Sequence, residues 1–148
     1  MIETECQLKN IDFSTSILKH DCHVMANASL LQRIILNLAA NAIDAMTDYP
    51  GAKLRIEVTQ DDDEDASTLT IRIRDNGKGM TDEQLASIFR PFASNKHDGV
   101  GVGLALGQIL VMRWGGEIVA SRLGTGGNSG MCFDVRLPVL TPFANPAS

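Results

Sequence analysis

Between Leu30 and Met46 the apolar side chains fall at Leu30, Leu31, Ile34, Ile35, Leu38, Ala42, Ile43 and Met46, the three- and four-residue spacing that gathers them on one face of an α-helix. The pattern predicts a helix entered through Asn27 or Ser29 as N-cap and closed by Pro50-Gly51. Residues 54–59 and 69–74 switch to strict alternation, which predicts two strands with one buried face each. The acidic run at 61–65 between them reads as the solvated tip of a hairpin, since it lacks the central Gly and closing Glu of a calcium-binding EF-hand loop. Thr81 with Gln84 three residues on predicts the cap of a short helix reaching about Phe89. A loop through Gly99, Gly101 and Gly103 then leads into a second amphipathic helix over 104–113, stopped by Gly115-Gly116. Residues 117–123 and 131–137 read as strands flanking a glycine-rich turn, residues 1–28 as short extended pieces, and 141–148 as a disordered tail. The sum is an α+β architecture, a mostly antiparallel sheet covered on one face by about three helices, forming one domain over 1–140.

Composition narrows the function. The chain has 148 residues, 44% of them apolar, enough for one well-filled core. Its formal net charge of −5 offers no basic field for nucleic acid or an anionic membrane surface. No apolar run reaches the length of a membrane-spanning helix, and the start of the chain lacks a signal-peptide pattern. Cys6, Cys22 and Cys132 are odd in number and widely spaced, which points to reduced thiols and a cytoplasmic setting.

Three segments carry candidate chemistry. Asn37 and Asn41 lie about one helical turn apart, so their amides share a side of the first helix and can offer oxygens to one hard cation; in isolation such residues are as well explained as solvated or capping groups. Asp75-Asn76-Gly77-Lys78-Gly79-Met80 follows a strand directly. That places a hydrogen-bond-accepting carboxylate, able to read an exocyclic amine, beside two glycines where backbone turns or approaches a ligand, although a plain tight turn would look similar. Gly99-Val100-Gly101-Val102-Gly103-Leu104 opens a helix, where free N–H groups can hold phosphate with Lys96 as a nearby point charge. It is neither a Walker A sequence nor a Rossmann fingerprint, and a flexible loop would also use such glycines.

In this order and spacing the segments resemble the GHKL ATP-binding superfamily, and within it the catalytic domain of sensor histidine kinases. Leu36-Asn37-Leu38 to Asn41-Ala42-Ile43-Asp44-Ala45 is similar to its N box, Asp75 to Met80 to its G1 box, and Ile88-Phe89-Arg90-Pro91-Phe92 through Lys96 to its F box. Gly99 to Leu104 is similar to its G2 box, and Trp114-Gly115-Gly116-Glu117-Ile118 to the strand entry that follows; the likeness runs from about Asn27 to Pro138. The resemblance implies the Bergerat α/β sandwich, with ATP and Mg2+ as cofactors. It implies Asn41 as the magnesium ligand, Asn37 beside the phosphates, Asp75 paired with the adenine amine, and Gly77 and Gly79 where the base approaches. Lys96, Gly99, Gly101 and Gly103 would belong to an ATP lid and Leu104, closing the G2 box, to the binding residues, with Asn37 and Lys96 as the catalytic candidates. Residues 124–130 are longer than the last glycine motif of the family and receive no ligand contact.

Within the superfamily, clamp ATPases of the gyrase, Hsp90 and MutL type place a Glu at the position of Asn37 to activate water, and the anti-sigma serine kinases tend to as well. An amide is no general base, so Asn37 favours a kinase that holds ATP for another nucleophile. The resemblance then implies as partners a phosphoacceptor histidine on a separate dimerisation segment, expected to lie outside this chain, and a response regulator. The alternatives are a degenerate module that docks without turnover and, further off, a clamp ATPase. His20, Cys22 and His23 read as an ordinary surface strand rather than an acceptor or metal site, and His97 as an exposed loop residue.

Overall fold

The computed structural model describes residues 2–62, 67–90, 100–124 and 130–140, with residues 100–102 described by their backbone alone. In chain order the elements are α1 (Ile2–Leu8), β1 (Asp12–Ser16), α2 (Ala28–Ala45), β2 (Lys53–Asp62), β3 (Ser67–Asp75), α3 (Asp82–Ser87), α4 (Val100–Arg113), β4 (Glu117–Arg122) and β5 (Met131–Pro138). The strands form one sheet in the order β1-β2-β3-β5-β4. β1 runs parallel to β2 and every other pairing is antiparallel.

Alternation along the strands gives the sheet two unlike faces. Leu54, Ile71, Ile73, Phe133, Val135 and Leu137 are buried under α2 and α4, where they meet Ile34, Leu38, Ala42, Ile43 and Val111. Side chains such as Leu38, Ile43 and Phe133, almost wholly withdrawn from water, contribute about 1.5–3 kcal/mol each. The other face carries charge. Arg72 grips Asp134 with both of its forks, Nε–Oδ1 at 2.8 Å and Nη2–Oδ2 at 3.0 Å. Arg136 spans Asp134 and Glu117, and Arg55 and Arg74 share Glu57. The layered α+β fold is thus the expected one.

Several elements are where the sequence places them. Asn27 caps α2 through its side chain, which accepts from the Leu30 N–H at 3.0 Å. Thr81 and Gln84 form a complete capping box on α3. Others differ. Residues 2–8 form a helix instead of an extended piece: Ile2 and Cys6, one turn apart, pack into the core, and Glu3 and Glu5 sit in the first turn, where a helix dipole favours negative charge. Described helices therefore number four rather than three. Helix α4 starts at Val100, not 104, so Gly101 and Gly103 lie in its first turn and not in a loop before it. Packing against α2 outweighs the poor helix propensity of glycine there. Residues 17–23 form no strand, and Val24 makes only an isolated bridge to Val139. The tail at 141–148, His97 and most of the acidic tip lie outside the described residues. No described helix is long and apolar enough to cross a membrane.

Candidate functional site

Asp75 ends β3 on the core-facing side of the sheet, in line with Ile71 and Ile73, and is only 4% exposed. Its Oδ1 accepts the N–H of Gly77 at 2.9 Å and that of Met131 at 3.3 Å. Among the described residues no hydrogen bond reaches its Oδ2, which leaves one buried acceptor aimed by the other. Burial pushes this carboxyl above the usual carboxylate range, opposed by the N–H bonds from Gly77 and Met131.

The turn after Asp75 is fastened on two sides. Asn76 is stapled to the start of β2: its Oδ1 accepts from Lys53 N–H at 2.7 Å, and its Nδ2 donates to the Gly51 carbonyl at 2.9 Å. Opposite, the N–H of Gly130 donates to the Gly77 carbonyl at 2.9 Å. Gly130 has φ +68°, and a Cβ added to it would lie 2.2 Å from the Asp75 carbonyl oxygen, so only glycine fits. Gly77 is pressed on the end of α2, where an added Cβ would stand 3.0 Å from Met46 Cγ and 3.2 Å from the Ala45 carbonyl oxygen. Gly79 turns the chain away with φ +73°. The adenine-side candidates Asp75, Gly77 and Gly79 thus stand in one turn at the end of α2.

Asn37 and Asn41 are both half-buried on α2, one turn apart. Gly103 comes so close that a Cβ added to it would lie 2.7 Å from Asn37 Nδ2, which joins the first turn of α4 to the amide pair. The opening turn of an α-helix leaves its N–H groups without intrahelical acceptors, so Gly101 and Gly103 still present amides to an anion from inside the helix. Leu104 is 5% exposed and belongs to the core, where it anchors that turn. Lys96 and Gly99 lie outside the described residues. No described cluster of three or more His, Cys, Asp or Glu side chains could hold a metal ion. Amide oxygens at Asn37 and Asn41 instead suit magnesium that arrives with a triphosphate and keeps waters and phosphate oxygens among its ligands.

Sequence reasoning passed over three contributors: Asn76 as a staple, the Gly130 amide that holds the Gly77 carbonyl, and the Met131 amide that supports Asp75. The glycine at the end of a strand-flanking turn was the available signal for Gly130. His20 is not at this site; its Nε2 meets Gln60 Oε1 at 2.9 Å.

The arrangement, a buried carboxylate in a turn beside two glycines and a glycine-bearing helix start over an asparagine pair, defines a nucleotide-binding class. Residues 26–141 match the family model described as histidine kinase-, DNA gyrase B-, and HSP90-like ATPase, and the chain belongs to that family. Within it the chain is the ATP-binding catalytic domain of the sensor histidine kinase type. It is 35% identical over 122 residues to the two-component sensor PprA of Pseudomonas aeruginosa, covering 80% of this chain and 13% of that protein. It is 37% identical over 117 residues to the sensor histidine kinase ZraS of Escherichia coli, covering 78% and 23%. With the signal transduction histidine-protein kinase AtoS of Escherichia coli it shares 32% over 140 residues, 94% of this chain and 22% of that protein. The chain thus spans less than a quarter of the length of each. Among solved structures, a mycobacterial sensor histidine kinase, MprB, superposes with TM-score 0.75 at 22% identity over 95% of this chain and 92% of that one. Full-length ShkA in complex with AMPPNP superposes with TM-score 0.75 at 22% identity, covering 95% and 28%. These two likenesses concern the fold.

Proposed function

We propose that this domain holds Mg-ATP and passes its γ-phosphoryl group to a histidine presented by a separate dimerisation segment of a longer, cytoplasmically facing sensor kinase, which then serves a response regulator. The observation that carries the reading is the buried Asp75 carboxylate, held through Oδ1 by two backbone amides with Oδ2 left for an adenine amine. The AMPPNP complex of ShkA is in keeping with it.

In this reading Asn41 ligates magnesium, Asn37 faces the phosphates, and Gly77 and Gly79 admit the base. The amides of Gly101 and Gly103 at the start of α4 hold the phosphates, with Leu104 seating that turn in the core; Lys96 and Gly99, outside the described residues, are assigned to the lid. The acceptor nitrogen attacks phosphorus as the bond to the β,γ-bridging oxygen breaks, and ADP leaves with the bonding electrons. The site neutralises charge on the moving group rather than activating a nucleophile. Asn37 offers no basic group to water, so ATP persists until a histidine arrives.

The test is a calorimetric titration with ATP and ADP, with and without magnesium, followed by a phosphate-release assay on the same sample. Saturable binding with negligible release is the expected result. Steady release would favour a clamp ATPase, and absent binding a docking module.

A further inference from the structure

Helix α4 carries the glycine turn at one end and is fastened to the sheet at its middle. The Ile118 N–H donates to Gln108 Oε1 at 2.8 Å, and Gln108 Nε2 donates to the Ile118 carbonyl at 3.2 Å. β4 is an edge strand, and this one amide satisfies both backbone groups of Ile118 as a neighbouring strand would.

Two glycines on the same helix bring it close to its neighbours. A Cβ added to Gly107 would stand 3.4 Å from Ile34 Cγ1 and 3.7 Å from Ile118 Cδ1, and one added to Gly103 would stand 2.7 Å from Asn37 Nδ2. With Gly103 against Asn37, a slide of α4 along its axis would change the contact between its first turn and that amide. The amide of Gln108 opposes that slide, because its paired bonds hold only at one height along β4.

We propose that Gln108 is a positioning residue for the phosphate end of the site: its paired bonds to Ile118 set the register of α4 and thereby the placement of the glycine turn over Asn37. This rests on the reading that the turn and Asn37 face the phosphates. At about 1.5 Å of rise per residue Gln108 lies about 7.5 Å along the helix from Gly103, too far to touch a nucleotide held at the first turn. An edge-covering role alone would affect stability and leave ligand preference unchanged.

Gln108→Met keeps the length of the side chain and removes both bonds; Gln108→Glu keeps the acceptor for the Ile118 N–H and opposes the carbonyl. Affinities for Mg-ATP and for adenosine are measured by calorimetry well below the melting temperature of each variant, with Asn41→Ala alongside. The expected result for Gln108→Met is an affinity for Mg-ATP reduced about fivefold or more with adenosine changed less than about twofold, and a smaller loss in Gln108→Glu. An unchanged affinity for Mg-ATP, or equal losses for both ligands, overturns the proposal. If Asn41→Ala loses Mg-ATP selectively while Gln108→Met does not, only the role of Gln108 falls. If neither variant shifts the ratio of the two affinities, the phosphate-end reading falls with it.

Discussion

Asp75→Asn probes the proposed adenine contact with little disturbance to its surroundings. The amide keeps an oxygen for the Gly77 and Met131 N–H groups, now bound at 2.9 and 3.3 Å, and turns an NH2 toward the ligand where the carboxylate offered an acceptor. A hydrogen bond to a charged group contributes about 1.5–3 kcal/mol, and a donor set against adenine's own amine adds the cost of an unpaired buried group. A total loss of about 2–4 kcal/mol corresponds to about 30- to 1000-fold weaker binding. Stability moves the other way. Burial raises the folded pKa of Asp75, against the pull of the Gly77 and Met131 amides, so the folded chain binds this proton more readily than the unfolded one. The contribution of the ionised group to stability therefore falls as pH rises through the folded pKa, and a neutral amide escapes that penalty. The variant is expected to melt at or above the wild-type temperature at neutral pH, with the gap narrowing in acid. Titration with magnesium-free ADP and thermal melts across pH supply both readings. A folded variant whose ADP affinity stays within about twofold of wild type would refute the adenine role of Asp75.

Asn41→Ala is expected to remove the magnesium-dependent part of ATP affinity and spare magnesium-free ADP; equal losses with and without the metal in calorimetry would place Asn41 elsewhere. Gly130→Ala puts a Cβ 2.2 Å from the Asp75 carbonyl oxygen on a backbone with φ +68°, and is expected to cost about 2–4 kcal/mol in denaturant unfolding and to weaken ADP. An unchanged unfolding midpoint would show that this turn is not locked to Asp75. For Asp134, burial alone would raise the carboxyl, but hydrogen bonds from Arg72 and Cys132 and the charges of Arg72 and Arg136 hold it below the usual range. A lowered folded pKa stabilises above the unfolded value and is lost as pH falls through the folded one. Asp134→Asn should thus cost about 1 kcal/mol at neutral pH, given the partial exposure of Arg72, and the difference should disappear in strong acid; a constant loss across the pH range would contradict it.

The elements that carry the candidate site were legible because they sit on strong local patterns. The apolar spacing of α2 places Asn37 and Asn41 on one side of the helix, and the alternation over 69–74 marks the strand that Asp75 ends. What stayed hidden depended on distant contacts or on short signals. Helix α1 has only Ile2 and Cys6 to mark its buried side, too few to set a period. Glycines 101 and 103 read locally as breakers, and only the approach of α4 to Asn37 shows why they belong inside a helix. Asn76-Gly77 was recognised as a turn, while the use of the Asn76 amide to bind Lys53 and Gly51 emerges only once β2 and β3 are paired.

The carboxylate proposed to read the base is held by the Gly77 N–H close by and by the Met131 N–H, 56 residues further along the chain. A ribosome releases β3 well before Met131, so a growing chain holds Asp75 with the first of its two amides and without the second. Under the proposed function, nucleotide then favours the completed sheet over a chain that still lacks β5. On the proposed function, bound ATP selects for finished molecules, drawing the balance toward those whose last strand is in place.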